Sequence, residues 1–478
     1  MAGEAKQFDL IVIGAGAAGS TIAGEARALG ASVALVERWK VGGTCLNAGC
    51  DPTKTLVRSA EVLHLARTAG DYGIAVEAAR VDWPAVRRRV EHVIDTIRGG
   101  DGDANIRATG VDLRKGDARF VGPHEVEVGG DRLRGDRIVV ATGARAHVPP
   151  IPGLVEAGFA TNVEAVAFDA LPRSLAILGA GVVATEFAQI FRRFGVEVTV
   201  LNRRDRILPR EDADLATELE AVLRREGVRI EPSVRAERVE RVNGIARIHV
   251  AGDGGAPFVV EAETILLATG RVPVVAGLDL DAAGIAHGPD GIVVDRTLRT
   301  SQPHVWAAGD VIKGARPFTH VADAQAKVVV HNALGGGPMR EFDDRVVPWV
   351  VFTDPELARV GPTEAEARAA GLDVAVASYR FRGLDRAITA TQTDGLVKLL
   401  ADRSSGRLVA GHLLGAHAGE LLPEVALAVR LGLPASALSD TLHAYPTFAE
   451  GVFWAALELA EPHDPLMDAV RGVQVPVE

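Results

Sequence analysis

The chain has 478 residues, too many for one compact core and enough for two to four domains of roughly 100 to 200 residues each. Fifty-two Lys and Arg stand against 63 Asp and Glu, a net charge of −11, which leaves no surplus of positive charge for a nucleic-acid backbone. No apolar run approaches the roughly 18 residues of a membrane helix, and the polar start from Met1 to Phe8 lacks the regions of a signal peptide, so the expectation is a cytoplasmic globular protein without membrane or nucleic-acid partners.

From Phe8 the sequence FDLIVIGAGAAGSTIAGEARALGASVALVER reads as a buried strand, a glycine turn, an alanine-rich helix and a second strand ending at Glu37. This is a βαβ unit with a dinucleotide fingerprint. Gly14 permits the tight turn, Gly16 lets a pyrophosphate approach the helix N-terminus, Gly19 allows helix to pack on strand, and Glu37 is placed to bond a ribose hydroxyl. The pattern returns in SLAILGAGVVATEFAQIFRRFGVEVTVLNRR, with Gly179, Gly181 and Ala184 at the fingerprint positions. Two dinucleotide sites therefore lie in one chain. Where the first unit ends on Glu37, the second ends on Asn202, Arg203 and Arg204. Arginine there pairs with a 2′-phosphate, and the missing acid removes the partner of a free 2′-hydroxyl, so NADPH is expected in preference to NADH. The alternative is that Arg203 and Arg204 are ordinary solvated loop charges.

Two stretches frame the second unit, IVVATGARAHVPPIPG from Ile138 and ILLATGRVP from Ile265. Each is a buried strand closed by Thr-Gly, namely Thr142 with Gly143 and Thr269 with Gly270, and prolines follow where the chain leaves one domain for another. VWAAGDV then sets Asp310 at the end of a buried strand, within reach of a ribityl hydroxyl. After Val346 the character changes to FTDPELARVGPTEAEARAAGL, strands near 395–400 and 408–414, and helices from Gly419 onward. Antiparallel strands with helices on one side make a third, α+β domain of a kind that often mediates subunit contact.

The only two cysteines stand five positions apart, in VGGTCLNAGCDPTKTLVRSAEVL, where Gly42 and Gly43 lead through Thr44 into Cys45 and Cys50. So few cysteines suggest chemistry and not a scaffold, and a zinc site would need further ligands nearby. The pair sits at or near a helix start, whose macrodipole and free amides stabilise a thiolate.

GGTCLNAGCDPTK, the two GxGxx(G/A) units, ATG, ATGR and AAGD, in this order, resemble the class I pyridine nucleotide disulfide oxidoreductases, which include glutathione reductase, dihydrolipoamide dehydrogenase and mercuric reductase. The resemblance runs from about Phe8 to about Leu459. It implies an α/β fold with an FAD domain (1–152 and 273–345), an inserted NAD(P)H domain (153–272) and an interface domain (346–478), assembled as a homodimer with a shared active site. FAD and NADPH would be the cofactors and a small molecule the substrate. Carried over by motif, Cys50 would be the thiol beside the flavin and Cys45 the interchange thiol facing substrate. Lys54 would sit near flavin N5 and pair with Glu186, unless both are plain helix-surface charges. Val182 would stand over the flavin on the nicotinamide side.

Three positions depart from the family pattern. Disulfide reductases of this kind carry His-Pro-Thr with a Glu five residues after the His, and the partner subunit supplies that His as acid and base. Here HAYPTFAEG places Tyr445 at the His position and keeps Glu450. A phenol near ~10 is a poorer proton shuttle at neutral pH than imidazole near ~6.5. Mercuric reductases carry a tyrosine at that point, and VFTDPELARVGPTEAEA reads like their interface domain. They also carry a C-terminal cysteine pair, which this chain lacks, and Phe159 stands where they have another active-site tyrosine. Asp51, directly after Cys50, replaces an apolar residue. Either it disfavours a nearby thiolate and shifts the potential, or it holds a cationic substrate, or Asp before Pro simply forms a turn. His443 stands two residues from the usual base, either as its replacement or as a structural histidine. The sequence points to no resident metal site.

Overall fold

The computed structural model describes residues 5–252 and 255–460, so the 461–478 end of the expected third domain lies outside the described residues. Lys6–Ile13, Val33–Glu37 and Asp112–Lys115 form adjacent parallel strands, and Asp131–Val140 flanks Lys6–Ile13 on its other side, also parallel. Every residue of Val33–Glu37 is buried, as befits a parallel strand covered on both faces. Val305–Ala307 extends the same sheet, returning after the whole second domain to pair with Ile138 through Val140. The helix Ala17–Ala28 packs beside the helix Thr319–Leu334, so the first fingerprint and the late AAGD segment share one core.

The second unit repeats the plan in four parallel strands, ordered Arg229–Glu231, Glu197–Leu201, Ser174–Leu178 and Thr264–Leu267. A three-stranded antiparallel meander of Val234–Val242, Ile245–Gly252 and Phe258–Ala262 covers it. The chain enters and leaves this unit side by side, because Ala144–Ala146 pairs antiparallel with Arg271–Pro273. The Thr-Gly dipeptides supply the staples: Thr142 Oγ1 donates to the Val274 carbonyl at 2.7 Å, and Thr269 Oγ1 to the His147 carbonyl at 2.9 Å.

The third unit is a five-stranded antiparallel sheet, ordered Trp349–Val351, Glu356–Val360, Leu408–Gly415, Leu396–Asp402 and Val374–Arg380. The helices Ala418–Leu431 and Glu450–Ala460 pack against it. Arg359, His412 and Lys398 sit opposite one another on three neighbouring strands of this sheet. They meet carboxylates at the start of the second-unit helix Ala213–Arg225: Lys398 Nζ lies 2.9 Å from Asp212 and 2.8 Å from Asp214, and Arg359 lies 3.7 Å from Glu211. Arg193, on the second fingerprint helix, reaches Asp354 of the third unit at 2.9 Å. Buried charges hold the second and third units together, since Lys398, Arg359 and Arg193 are each almost fully buried.

Candidate active site

The two glycine turns have the same geometry. Gly14 has φ +103°, and a Cβ there would lie 2.4 Å from the Ala141 carbonyl oxygen; Gly179 has φ +112°, with 2.3 Å to the Ala268 oxygen. These positions exclude any side chain for reasons internal to the fold. Gly16 and Gly181 differ, since a Cβ on either would meet no protein atom within 4 Å. They cap their helices from an extended backbone, so the space before each helix N-terminus stays open to a pyrophosphate. Gly19 packs on the turn itself, a Cβ there falling 1.8 Å from the Gly14 oxygen, and buried Ala184 occupies the matching place in the second unit. A dinucleotide therefore fits both turns.

Glu37 ends its strand buried, accepting from the Ala15 amide at 2.7 Å and the Trp39 amide at 2.6 Å, which ties the fingerprint turn to the strand end. Asp310 follows Val305–Ala307, with its carboxylate 3.5 Å from the Arg271 guanidinium, and burial raises its pKa against that charge. Gly143 and Gly270 both have positive φ with open space around the Cβ position. In the second unit the Asn202 side chain is committed to its own turn, donating to the Arg206 carbonyl at 2.6 Å and accepting from the Arg204 amide at 3.1 Å. Arg203 and Arg204 project from that turn exposed, and among the described residues their side chains have no hydrogen-bond or ion-pair partner. Val182 is the first residue of its helix and half-buried.

The cysteine segment lies directly on the first glycine turn, since a side chain at Gly43 would come within 2.8 Å of the Gly16 Cα. Thr44 and Cys45 belong to the short helix Gly43–Ala48, which breaks at Gly49, and Cys50 opens the 18-residue helix Cys50–Arg67. Asn47 braces the short helix by donating to the Val41 and Gly43 carbonyls, and Asn162 of the second unit donates to the Ala48 carbonyl at 2.7 Å. Both cysteines are free thiols and partly buried. Cys50, at the helix N-terminus, has its thiol pushed down to about 6, chiefly by the hydrogen bond from Cys45, with the Thr319 hydroxyl and the Lys54 charge also lowering it and burial opposing. Cys45 moves up, through its hydrogen bond to Cys50 and through burial. The pair thus releases one proton readily and holds the second.

Thr319 was not legible as a site residue. Its hydroxyl stands between the sulfurs, donating to Cys45 Sγ at 3.1 Å and lying 3.4 Å from Cys50 Sγ. Lys54 sits one turn after Cys50 on the same helix and meets Glu186 at 3.0 Å and 3.1 Å through both carboxylate oxygens. Glu186 is buried and also accepts from the Phe352 amide at 2.9 Å, while Lys54 Nζ lies 4.5 Å over the Phe352 ring. Asp51 is the second residue of the helix and Pro52 the third, so the expected turn is the helix's own first turn, where a proline N is no loss and an acid suits the dipole. Burial raises the Asp51 pKa, opposed by Lys54, and its charge disfavours thiolate at either cysteine.

The C-terminal candidates lie on the third unit. Tyr445 is 71% exposed, and its hydroxyl donates to Asp385 at 2.7 Å, a bond that raises the phenol pKa. Glu450 begins the last described helix and accepts from the Thr447 amide at 3.0 Å. His443 has both ring nitrogens engaged, at 2.9 Å with the Thr441 carbonyl and 3.0 Å with Glu424. Phe159 packs against the core beneath the second-domain meander. Among the described residues no group of three or more His, Cys, Asp or Glu could hold a metal ion, and no helix is long and apolar enough to cross a membrane.

Known proteins resemble this chain in sequence and fold. Residues 8–326 match the pyridine nucleotide-disulphide oxidoreductase family, and residues 347–456 match its dimerisation domain. A mercuric reductase of Bacillus cereus is 35% identical over 94% of this chain and 71% of its own length. A dihydrolipoyl dehydrogenase of Bacillus subtilis (strain 168) is 32% identical over 95% and 98%. The HOCl-induced flavoprotein disulfide reductase RclA from Escherichia coli, solved as a Cu(II) complex, superposes with a TM-score of 0.83 at 32% identity, covering 93% of this chain and 98% of its own. The chain thus belongs to the pyridine nucleotide-disulphide oxidoreductase family, as an FAD-dependent, NAD(P)H-using flavoprotein disulfide reductase of the mercuric reductase and lipoamide dehydrogenase type.

Proposed function

We propose that the chain is an NADPH-dependent reductase that passes electrons through the Cys45–Cys50 pair to a soft metal ion or a specialised sulfur substrate. One observation carries the substrate class: the position that would hold an imidazole base is Tyr445, whose proton is committed to Asp385, while His443 is engaged at both nitrogens. Thiol–disulfide exchange needs a group titrating near neutrality to give a proton to the leaving thiolate, whereas a metal ion held by two thiolates needs no proton delivered to it. The relatives whose names carry a metal, a mercuric reductase and a reductase solved with Cu(II), support the same direction.

FAD held on the first glycine turn would supply hydride acceptance from the nicotinamide and two-electron reduction of the disulfide. The protein's own groups do the rest. Two electrons and one proton, together the equivalent of the hydride, break the S–S bond, leaving a thiolate at Cys50, held by the helix N-terminus and Lys54, and a thiol at Cys45. Glu186, fixed by the Phe352 amide, keeps Lys54 beside the flavin position. Arg203 and Arg204 stand free for a 2′-phosphate, which supports NADPH over NADH. Two subunits would complete one site, each lending Tyr445 to its neighbour's cysteines.

NADPH oxidation by the purified flavoprotein, measured anaerobically with Hg(II) or Cu(II) in the presence of a small thiol, tests the reading. Metal-dependent turnover is the expected result. Turnover with lipoamide or glutathione disulfide and none with either metal would transfer the chain to ordinary disulfide reduction, and Tyr445→His should then gain rate.

A further inference from the structure

Thr319 is separated from the cysteines by 269 and 274 residues in sequence, yet its hydroxyl touches both sulfurs. It is the first residue of the helix Thr319–Leu334, which packs beside the fingerprint helix Ala17–Ala28 in the same core as the flavin-binding turn. The ring of Phe318, immediately before it, stacks between His320 at 5.4 Å and Trp349 at 5.7 Å, so the start of the helix is pinned. A β-branched side chain on a pinned backbone has few rotamers open to it, and the contacts to the two sulfurs select the one observed. Among the described residues no other hydroxyl bonds to a cysteine sulfur, and the usual base is absent: Tyr445 donates to Asp385 and His443 is engaged on both sides.

We propose that the Thr319 hydroxyl is the proton relay between Cys45 and Cys50, doing within one subunit what a histidine base would otherwise do. The inference rests on the redox role of the pair given above. In the reduced pair one proton is shared by two sulfurs. Cys45 Sγ–H gives its proton to Thr319 Oγ1 as Thr319 gives its own hydroxyl proton to Cys50 Sγ. One S–H bond breaks, the O–H bond is re-formed, another S–H bond forms, and no electrons change hands. The thiolate thereby moves from Cys50, where it is stored, to Cys45, where substrate meets it. The reverse transfer restores the stored state, and the 3.1 Å bond from Thr319 to Cys45 Sγ is the arm already in place for it.

Thr319→Val keeps the branched shape and removes the hydroxyl, and Thr319→Ser keeps the hydroxyl. The experiment reduces each holoprotein, follows alkylation of Cys45 by iodoacetamide across pH with mass-spectrometric assignment, and records the long-wavelength thiolate–flavin absorbance on adding substrate. Thr319→Val should lower Cys45 alkylation near neutral pH about tenfold, the size of one lost hydrogen bond to a charged group, and move its pH profile upward. The absorbance should decay more slowly and lose its solvent isotope effect, and Thr319→Ser should restore both readouts. An unchanged profile and unchanged decay in Thr319→Val would overturn the relay and show that the sulfurs exchange protons directly or through water. A wild-type protein with no such absorbance at all would instead sink the redox reading of the pair, whatever Thr319 does.

Discussion

Cys45 and Cys50 are chemically alike, and their different behaviour comes from their surroundings. Cys50 stands at a helix N-terminus with Lys54 one turn on, while Cys45 is in a broken six-residue helix with only its partner and Thr319 for hydrogen bonds. A group whose pKa is lowered keeps its charge above the new value and loses it as pH falls through it. The Cys50 thiolate should therefore persist down to about pH 6, and the long-wavelength absorbance of the reduced flavoprotein should titrate away below that. A midpoint near ~8.5, the ordinary thiol value, would show that the helix and its neighbours contribute nothing. Asp51 works against the thiolate, so Asp51→Asn should move the midpoint lower still. The sequence marked Cys45, Cys50, Lys54 and Glu186 because they stand in contiguous motifs. It gave no sign of Thr319 or Phe352, because single residues brought in from distant parts of the chain leave no local pattern.

At the scale of elements, the two glycine turns separate folding from binding. Gly14 is closed by the Ala141 oxygen and by its positive φ, whereas Gly16 has an extended backbone that any residue adopts and empty space where a Cβ would go. Gly16→Val should leave a folded protein of nearly unchanged thermal stability that purifies without flavin. Gly14→Val should fail to fold, and its soluble yield is the check. If Gly16→Val kept its flavin, the pyrophosphate would not lie on this turn. Both βαβ units were legible because glycine spacing, apolar runs and strand ends all agree over some thirty residues. The antiparallel meander and the stapling of the two crossings were not. Thr142 reads locally as part of a cofactor motif, and nothing local shows that its hydroxyl also donates to the Val274 carbonyl, 132 residues away.

The joint between the second and third units ties the stability of the molecule to pH. His412, almost fully buried between Arg359 and Lys398, stays neutral, its pKa depressed to about 4 chiefly by burial. The unfolded histidine binds its proton near ~6.5, so this residue's contribution to stability declines as pH falls from there towards 4. Asp212, lowered by Lys398 against burial, loses its contribution as pH falls below the ordinary carboxylate range. Asp212→Asn would leave buried Lys398 with Asp214 and Glu364 alone, and should cost about 2 kcal/mol in denaturant unfolding at neutral pH, with a smaller difference in acid.

The third unit also decides whether one chain is enough. Tyr445 is exposed, Leu442 beside it is 98% exposed, and Leu427 and Leu431 stand out from the neighbouring helix, on a unit that matches a dimerisation domain. An apolar surface of this kind is costly to leave in water. If two subunits build each site, a Cys50→Ser chain and a Tyr445→Ala chain fail for different reasons and repair each other in a mixed dimer. One of its two sites then combines intact cysteines with an intact tyrosine. Random mixing makes half the dimers mixed, so co-expressed chains should recover about a quarter of wild-type activity, above the level of either parent alone. If each chain carried its own complete site, no mixed dimer could contain one. The mixture would then show only the average of its parents, and Tyr445 would act, if at all, on the cysteines of its own subunit.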